Sequence, residues 1–274
     1  MTWHRVVCAP SAPDQVDGVT AAMFAAGAEG VHEDGATLVT HLPESADVDA
    51  FARALRDADD AATITVSPLE DVDWSLAWRT RISAHRLGAL TVAPPWLADG
   101  LPAATTVVIE PAMAFGTGEH PTTRGVVRLL EATIRPGDAV ADLGAGSAVL
   151  AIAAVKLGAS RAFAIENDVD SIANAEENVV RNGVASQVAV LEGDAALLLP
   201  LVAPVRVILA NIISSVLLDL LPSLPSALAP EGEIILSGIL QEERPAMLAA
   251  LASHGWRMVA EDAEEVWWSV RAVR

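Results

Sequence analysis

The chain AVADLGAGSAVL runs from an apolar strand ending on Asp142, through Gly144 and Gly146, into a helix expected to start near Ser147. Glycine at such a turn lets backbone approach a ligand closely, and in doubly wound sheets this is the edge where nucleoside ligands sit. Asp142 either accepts hydrogen bonds from a cationic end of the ligand or fixes the turn itself. Glu166 closes the next strand, 22 residues after Gly144, the distance at which a carboxylate reaches ribose hydroxyls; the plain alternative is a solvated strand-end charge. Asp194, in LEGDA after the third strand, is either an acceptor for an adenine amino group or a helix cap. Asn211 ends the fourth strand in ILANIIS. Its side-chain amide and neighbouring backbone carbonyls can accept from amine hydrogens and so aim a nitrogen lone pair, while Ile212 and Ile213 keep water out. EPAMAFGTGEHPTT lies about twenty residues before the glycine turn and holds Glu119 where a phosphate-cradling loop would need lysine. A lid or wall over the ligand is expected there, with His120 as a loop hydrogen-bonder and Thr122 and Thr123 as caps of the helix that follows.

Two readings of the glycine turn compete. The dinucleotide fingerprint G-x-G-x-x-G fails at Val149, and the D-x-G-x-G-x-G turn of methyltransferases fails only at its last glycine, which is Ala148. Asp142 favours the second; Glu166 suits both, so a nicotinamide dehydrogenase stays as an alternative from another class. Methylation of an amine is an in-line displacement at carbon. It asks an enzyme to hold a neutral nitrogen against a sulfonium methyl, without a covalent intermediate.

The elements that must carry these residues are legible in the periodicity. Residues 1–70 read as strand Trp3 to Ala9, helix Pro13 to Ala26, a hairpin of Glu29 to Glu33 and Thr37 to Leu42 around Asp34-Gly35, a helix capped by Ser45, and strand Thr63 to Leu69. The capped helix buries Phe51, Ala54, Leu55 and Ala58. This βαββαβ series predicts a ferredoxin-like α+β domain. Residues 71–101 read as a linker with a short helix placing Trp74 and Trp78 on one face. From 102 to 274 strands alternate with helices, predicting an α/β domain with a mostly parallel sheet. Its strands are Ala139 to Leu143, Arg161 to Ile165, Val188 to Leu191, Val205 to Ala210 and Glu233 to Leu236, with a helix at Arg124 to Ile134 and a terminal hairpin of Trp256 to Glu261 and Val266 to Val273.

The chain has 274 residues and a formal charge of −19. A surface so negative repels phosphate backbones, so stable nucleic-acid binding is not expected, whereas a basic partner would be attracted. Residues 1–70 hold 12 acidic against 3 basic side chains, although simple solubility accounts for the same bias. Lone Cys8 excludes an internal disulfide, and no metal site is expected. The start MTWHRVVCAP lacks the pattern of a secretory signal, and no apolar run is long enough for a membrane span, so a cytoplasmic protein is expected.

In order and spacing, AFGTGEHPTT, DLGAGSAVLAIAAVKLGA, ENDVDSIANAEENVVRNG, ANI and LSGIL resemble the ribosomal protein L-eleven methyltransferase family over roughly residues 70 to 274. The resemblance implies a ferredoxin-like substrate-recognition domain joined to a class I methyltransferase domain, Rossmann-like with a seven-stranded sheet. It implies an enzyme that uses S-adenosylmethionine to methylate lysine side chains and the N-terminal amine of a large-subunit ribosomal protein; a monomer is expected. Carried over by position, cofactor contacts fall on Thr123, Gly144, Glu166 and Asn211, with Thr123 and Asn211 at the reacting end. The family usually shows aspartate where Glu166 stands, and Ala148 replaces its third glycine. Asp142, Gly146 and Asp194 complete the expected cofactor set. Another protein lysine or a small amine is the alternative substrate.

Overall fold

A computed structural model describes residues 3–69, 79, 82–111, 116 and 118–274. The chain divides into two compact units, Met1–Arg81 and Ile82–Arg274.

The first unit contains β1 (Trp3–Ala9), α1 (Val16–Ala25), β2 (His32–Asp34), β3 (Thr37–Pro43), α2 (Val48–Ala58) and β4 (Thr63–Leu69). Its sheet has the order β2-β3-β1-β4 with every neighbouring pair antiparallel, which is the ferredoxin-like arrangement. Alternation on β1 turns Val6 and Cys8 inward, where they meet Val19 and Met23 of α1 and Phe51 and Leu55 of α2. Gly35 takes the left-handed conformation, φ 62°, that the β2–β3 turn requires. The cap of α2 is Asp47 and not Ser45: the Asp47 carboxylate accepts from the Ala50 amide at 2.9 Å. A carboxylate at that position also meets the positive end of the helix. Ala52 is buried and Ala58 exposed, so the buried stripe lies one position round from the expected one.

The second unit is built on a seven-stranded sheet. Its strands are β8 (Ala139–Leu143), β9 (Arg161–Glu166), β10 (Val188–Glu192), β11 (Val205–Asn211), β12 (Leu228–Leu240), β13 (Arg257–Glu264) and β14 (Trp267–Val273). The order is β10-β9-β8-β11-β12-β14-β13; the first five are parallel, and β14 runs antiparallel between β12 and β13. This is a doubly wound sheet with one antiparallel strand inserted near its edge. The chain leaves β8 toward one edge and returns at β11 to fill the other, so the β8/β11 junction is the point where strand order reverses.

Both faces are covered. On one, α3 (Pro121–Glu131), α4 (Val149–Lys156) and α5 (Val169–Arg181) pack over Val140, Val207 and Leu209. On the other, α6 (Ala195–Val202), α7 (Ser214–Leu220), α8 (Leu224–Ala227) and α9 (Arg244–Ser253) pack over Ala141, Ile208 and Ala210. Successive residues of β11 thus enter opposite cores, which is why it reads as continuous apolar sequence. Each such Ile or Leu contributes about 1.5–3 kcal/mol by leaving water.

Part of the stretch read as linker behaves differently. Residues 71–78 and 80–81, which include the expected Trp74–Trp78 helix, lie outside the described residues. Residues 82–101 fold with the second unit: β5 (His85–Leu87) and β6 (Leu90–Ala93) form a hairpin, and β7 (Thr106–Val108) adds in parallel to β6. Leu87, Leu90, Val92 and Val107 join the core beneath α3 and α4. Strands of three or four residues are too short to show a period in sequence.

Three asparagines spaced four apart, two on α5 and the third its C-cap, hold the end of β7 and the segment that follows. Asn182 accepts from Val108 N at 2.8 Å and donates to Val108 O at 2.6 Å. Asn178 accepts from Glu110 N at 2.9 Å and donates to the carbonyl of Ser147 at 3.2 Å, and Asn174 donates to Glu110 O. Among the described residues, no helix is long and apolar enough to cross a membrane.

Candidate active site

The glycine turn after β8 is hydrogen-bonded to β9 and lies close against Ile212, just beyond β11. Gly144 and Gly146 have φ of 68° and 51°, and a Cβ on Gly144 would stand 2.4 Å from Ile212 Cγ2. The amides of Gly144 and Ala145 donate to the carbonyl of Ile165. Gly146 N donates to Glu166 Oε2 at 2.7 Å, and Asn167 N and Asp168 N donate to Glu166 Oε1 at 2.8 and 2.9 Å. Three of the four acceptor positions of this carboxylate are therefore taken by backbone. Ala148, where the third glycine was missing, has φ 63°, so the turn keeps its left-handed step with alanine bearing the strain.

Asp142 is fully buried beneath the turn. Its Oδ2 accepts from Ala151 N at 3.0 Å, tying β8 to the first turn of α4, and its Oδ1 has no hydrogen-bond partner. Burial, opposed by the Ala151 bond and reinforced by the nearby Glu166 charge, pushes its carboxyl up to about 7. Of the two readings of Asp142, the geometry supports the one in which it fixes the turn; it stands behind the cavity wall.

A cavity of about 780 Å³ opens at the carboxyl edge of β8, β9 and β11. Gly144, Gly146, Glu166, Asp194 and Asn211 all line it, brought together from four segments of the chain. Asp194 is a cap: its Oδ1 accepts from Ala196 N at 2.8 Å and Leu197 N at 3.3 Å, starting α6. Asn211 ends β11. Its Nδ2 donates to Thr123 Oγ1 at 3.5 Å, and its Oδ1 is buried with no partner. Thr123 is wholly buried in the first turn of α3, so it backs Asn211 from behind. Helix α3 starts three residues before the expected Arg124, because Pro121 takes its first position and His120 caps it.

Two lining residues were not singled out for chemistry in the sequence. His120 and Trp267 meet edge to face, with ring centroids 4.9 Å apart at 64°, and both line the cavity. His120 Nδ1 is bonded to Thr122 Oγ1 at 2.7 Å. Burial, and then the cation of Arg124, hold its pKa below the ordinary histidine value, with Glu265 opposing them. The tryptophan lies in the terminal hairpin, so nothing local in sequence pairs it with His120.

The side chains in the lining suit a cationic nucleoside ligand. Glu166, Asp168, Asp194 and Asp219 bring carboxylates, and among the described lining residues there is neither lysine nor arginine. A pyrophosphate would meet repulsion here; a sulfonium or ammonium group would not. Glycines that would clash if given a Cβ, and a buried carbonyl oxygen awaiting a donor, fit a nucleoside ligand approached closely by backbone.

The sheet order and this turn define a class I methyltransferase. The model of the family Ribosomal protein L11 methyltransferase (PrmA) matches residues 14–274. Proteins named ribosomal protein L11 methyltransferase include one from Thermus thermophilus, 41% identical over 198 residues, covering 72% of this chain and 76% of that protein. Another, from Exiguobacterium sibiricum, is 36% identical over 220 residues, covering 78% and 68%. The crystal structure of ribosomal protein L11 methylase from Lactobacillus delbrueckii subsp. bulgaricus superposes with a TM-score of 0.62 at 32% identity, covering 70% of this chain and 99% of that one. The chain belongs to the ribosomal protein L11 methyltransferase family.

Proposed function

We propose that this chain transfers methyl groups from S-adenosylmethionine to lysine side-chain and N-terminal amines of the large-subunit ribosomal protein L11. It would act in the cytoplasm, as a monomer, without stable binding to nucleic acid. The observation that carries the reading is Asn211: a buried carbonyl oxygen without a partner, at the rim of a cavity lined by carboxylates and glycine backbone. Such an acceptor is costly to leave unmet, and an amine N–H is a donor that would meet it.

S-adenosylmethionine, when bound, supplies an electrophilic methyl on a sulfonium. Gly144 and Gly146 would let the nucleoside approach backbone. The remaining acceptor position of Glu166 is suited to one ribose hydroxyl, where the sequence had suggested two, because the other three positions hold amides. Asp194 Oδ2, the oxygen not used in the cap, is the acceptor for an adenine amino group. Asn211, held by Thr123, would orient the incoming nitrogen, with Ile212 and Ile213 excluding water. Burial and then Arg124 lower the His120 pKa, which disfavours a positive charge there that would repel an ammonium.

A lysine amine has an ordinary pKa of about 10.4 and must lose a proton before attack. Desolvation lowers that value and water takes the proton, so activity should rise toward alkaline pH. Incubation with purified L11, other ribosomal proteins and labelled cofactor, read by mass, tests the whole proposal. Label on lysine and N-terminal amines of L11 supports it; label confined to another protein would move the substrate, and binding of a nicotinamide dinucleotide in place of S-adenosylmethionine would end it.

A further inference from the structure

We propose that Arg124 is a positioning residue for the methyl transfer, fixing His120 and Trp267 against each other at the cavity by gripping the neighbour of each with one guanidinium. The inference rests on the reading given under Proposed function only for its effect on rate; the geometry stands by itself.

Arg124 lies in α3, one turn after His120, and its side chain is 13% exposed. Its Nη1 donates to the backbone carbonyl of Glu119, the residue immediately before His120. Its Nε and Nη2 both donate to Glu264 Oε1, the Nε bond being 2.9 Å long. Glu264 is the cross-strand partner of Trp267 in the β13–β14 ladder. One planar group thus joins the loop carrying the imidazole to the hairpin carrying the indole, across 140 residues of sequence. A guanidinium can do this because its donors point in fixed, divergent directions; a lysine ammonium can replace the charge but not the span.

The surroundings reinforce the grip. Arg128, one turn further on, holds Glu264 Oε2 at 2.7 Å and both oxygens of Asp262 at 2.6 and 2.7 Å. Gly125 lies between the two arginines, where a Cβ would stand 2.8 Å from Ser269 Oγ and 3.0 Å from Asp262 Oδ1. Helix and hairpin therefore leave no room for a side chain at position 125. Among the described residues, the charges that act on His120 include Arg124 from α3 and Glu265 from the hairpin turn, so loss of Arg124 also removes a cation that disfavours the imidazolium.

The test uses the full chain and three variants, Arg124→Gln, Arg124→Lys and Glu264→Gln. Histidine ring resonances are followed by NMR, His120 being assigned from His120→Gln. In the wild type, the Trp267 edge contact should shift the His120 ring protons by ring current. Arg124→Gln should remove that shift and raise the His120 pKa toward the ordinary value. Arg124→Lys should keep the low pKa but lose part of the shift. Methylation kcat should fall by about ten- to a hundredfold in Arg124→Gln with cofactor Kd within about twofold, as misplacement of a reacting geometry does. Should Arg124→Gln fail to fold, the same ring-current loss in Glu264→Gln decides the matter. Unmoved His120 resonances in every folded variant, or unchanged kcat per folded molecule, would overturn the proposal. If the wild type methylates no amine, the functional reading fails, while the ring-current arm still shows whether Arg124 sets the His120–Trp267 contact.

Discussion

Glu166 Oε2 accepts the amide of Gly146 at 2.7 Å, so the acid at the end of β9 and the glycine turn after β8 form one structure. The carboxylate builds the floor of the cavity as well as facing it.

Replacement of that carboxylate should therefore show in stability as well as in affinity. Glu166→Gln exchanges one acceptor oxygen for a donor and leaves a backbone amide unmet, which costs about 1–3 kcal/mol. A fall in Tm, together with roughly tenfold weaker S-adenosylmethionine binding by calorimetry, is expected. Weaker binding with unchanged Tm would mean that the carboxylate does not hold the turn.

Asn211→Ala should act mainly on the chemical step. Removal of one positioned hydrogen-bonding group commonly lowers kcat by about a hundredfold or more. Single-turnover methyl transfer measures this, with calorimetry for the cofactor alongside. Equal single-turnover rates in variant and wild type would remove Asn211 from the reacting end.

Asp142 gives a pH dependence with a defined sign. Its folded-state pKa of about 7 lies above the ordinary carboxylate value, so between roughly pH 4 and 7 the folded chain holds a proton that the unfolded chain has released. The resulting stability is present in full below about pH 4 and is lost as pH rises through about 7. Asp142→Asn keeps an acceptor for Ala151 N without titrating. Its stability relative to wild type should improve by up to roughly 4 kcal/mol between pH 4 and 8. Melting curves of both proteins across that range test this, and a constant difference would show an ordinary carboxyl.

A basic substrate approaching a chain of charge −19 should be steered by long-range attraction. KM for L11 should rise several-fold between low and physiological salt, where screening shortens the reach of charge to about 8 Å, with kcat little changed. A KM indifferent to salt would leave the acidity as a matter of solubility.

The legible parts of the fold were those with a strong period or a local conformational demand. β1, β4 and β8 fall on the residues where alternation or a buried run placed them, and the ferredoxin-like order follows from its six elements. Gly144 and Gly146 announced the turn because only that residue type takes such φ values without strain. Three things stayed hidden. The β5–β6 hairpin is too short for a period, and Ser45 and Asp47 both suit a cap, so sequence alone does not show that Asp47 holds it. His120 and Trp267 meet only because β14 inserts between β12 and β13, a long-range event that no local pattern encodes. The residues expected in the cofactor set divide accordingly: Asp142 and Thr123 support the wall from behind, and the other five face the cavity.

Asn182, the C-cap of α5, also guards a sheet edge. β7 is an edge strand of the three-stranded sheet, and a bare edge is a template for pairing with a second molecule. Asn182 occupies both the N–H and the carbonyl of Val108, so a foreign strand finds no open register there. Asn182→Leu should leave that edge available, and light scattering on gentle heating would reveal clumping well before the wild type clouds.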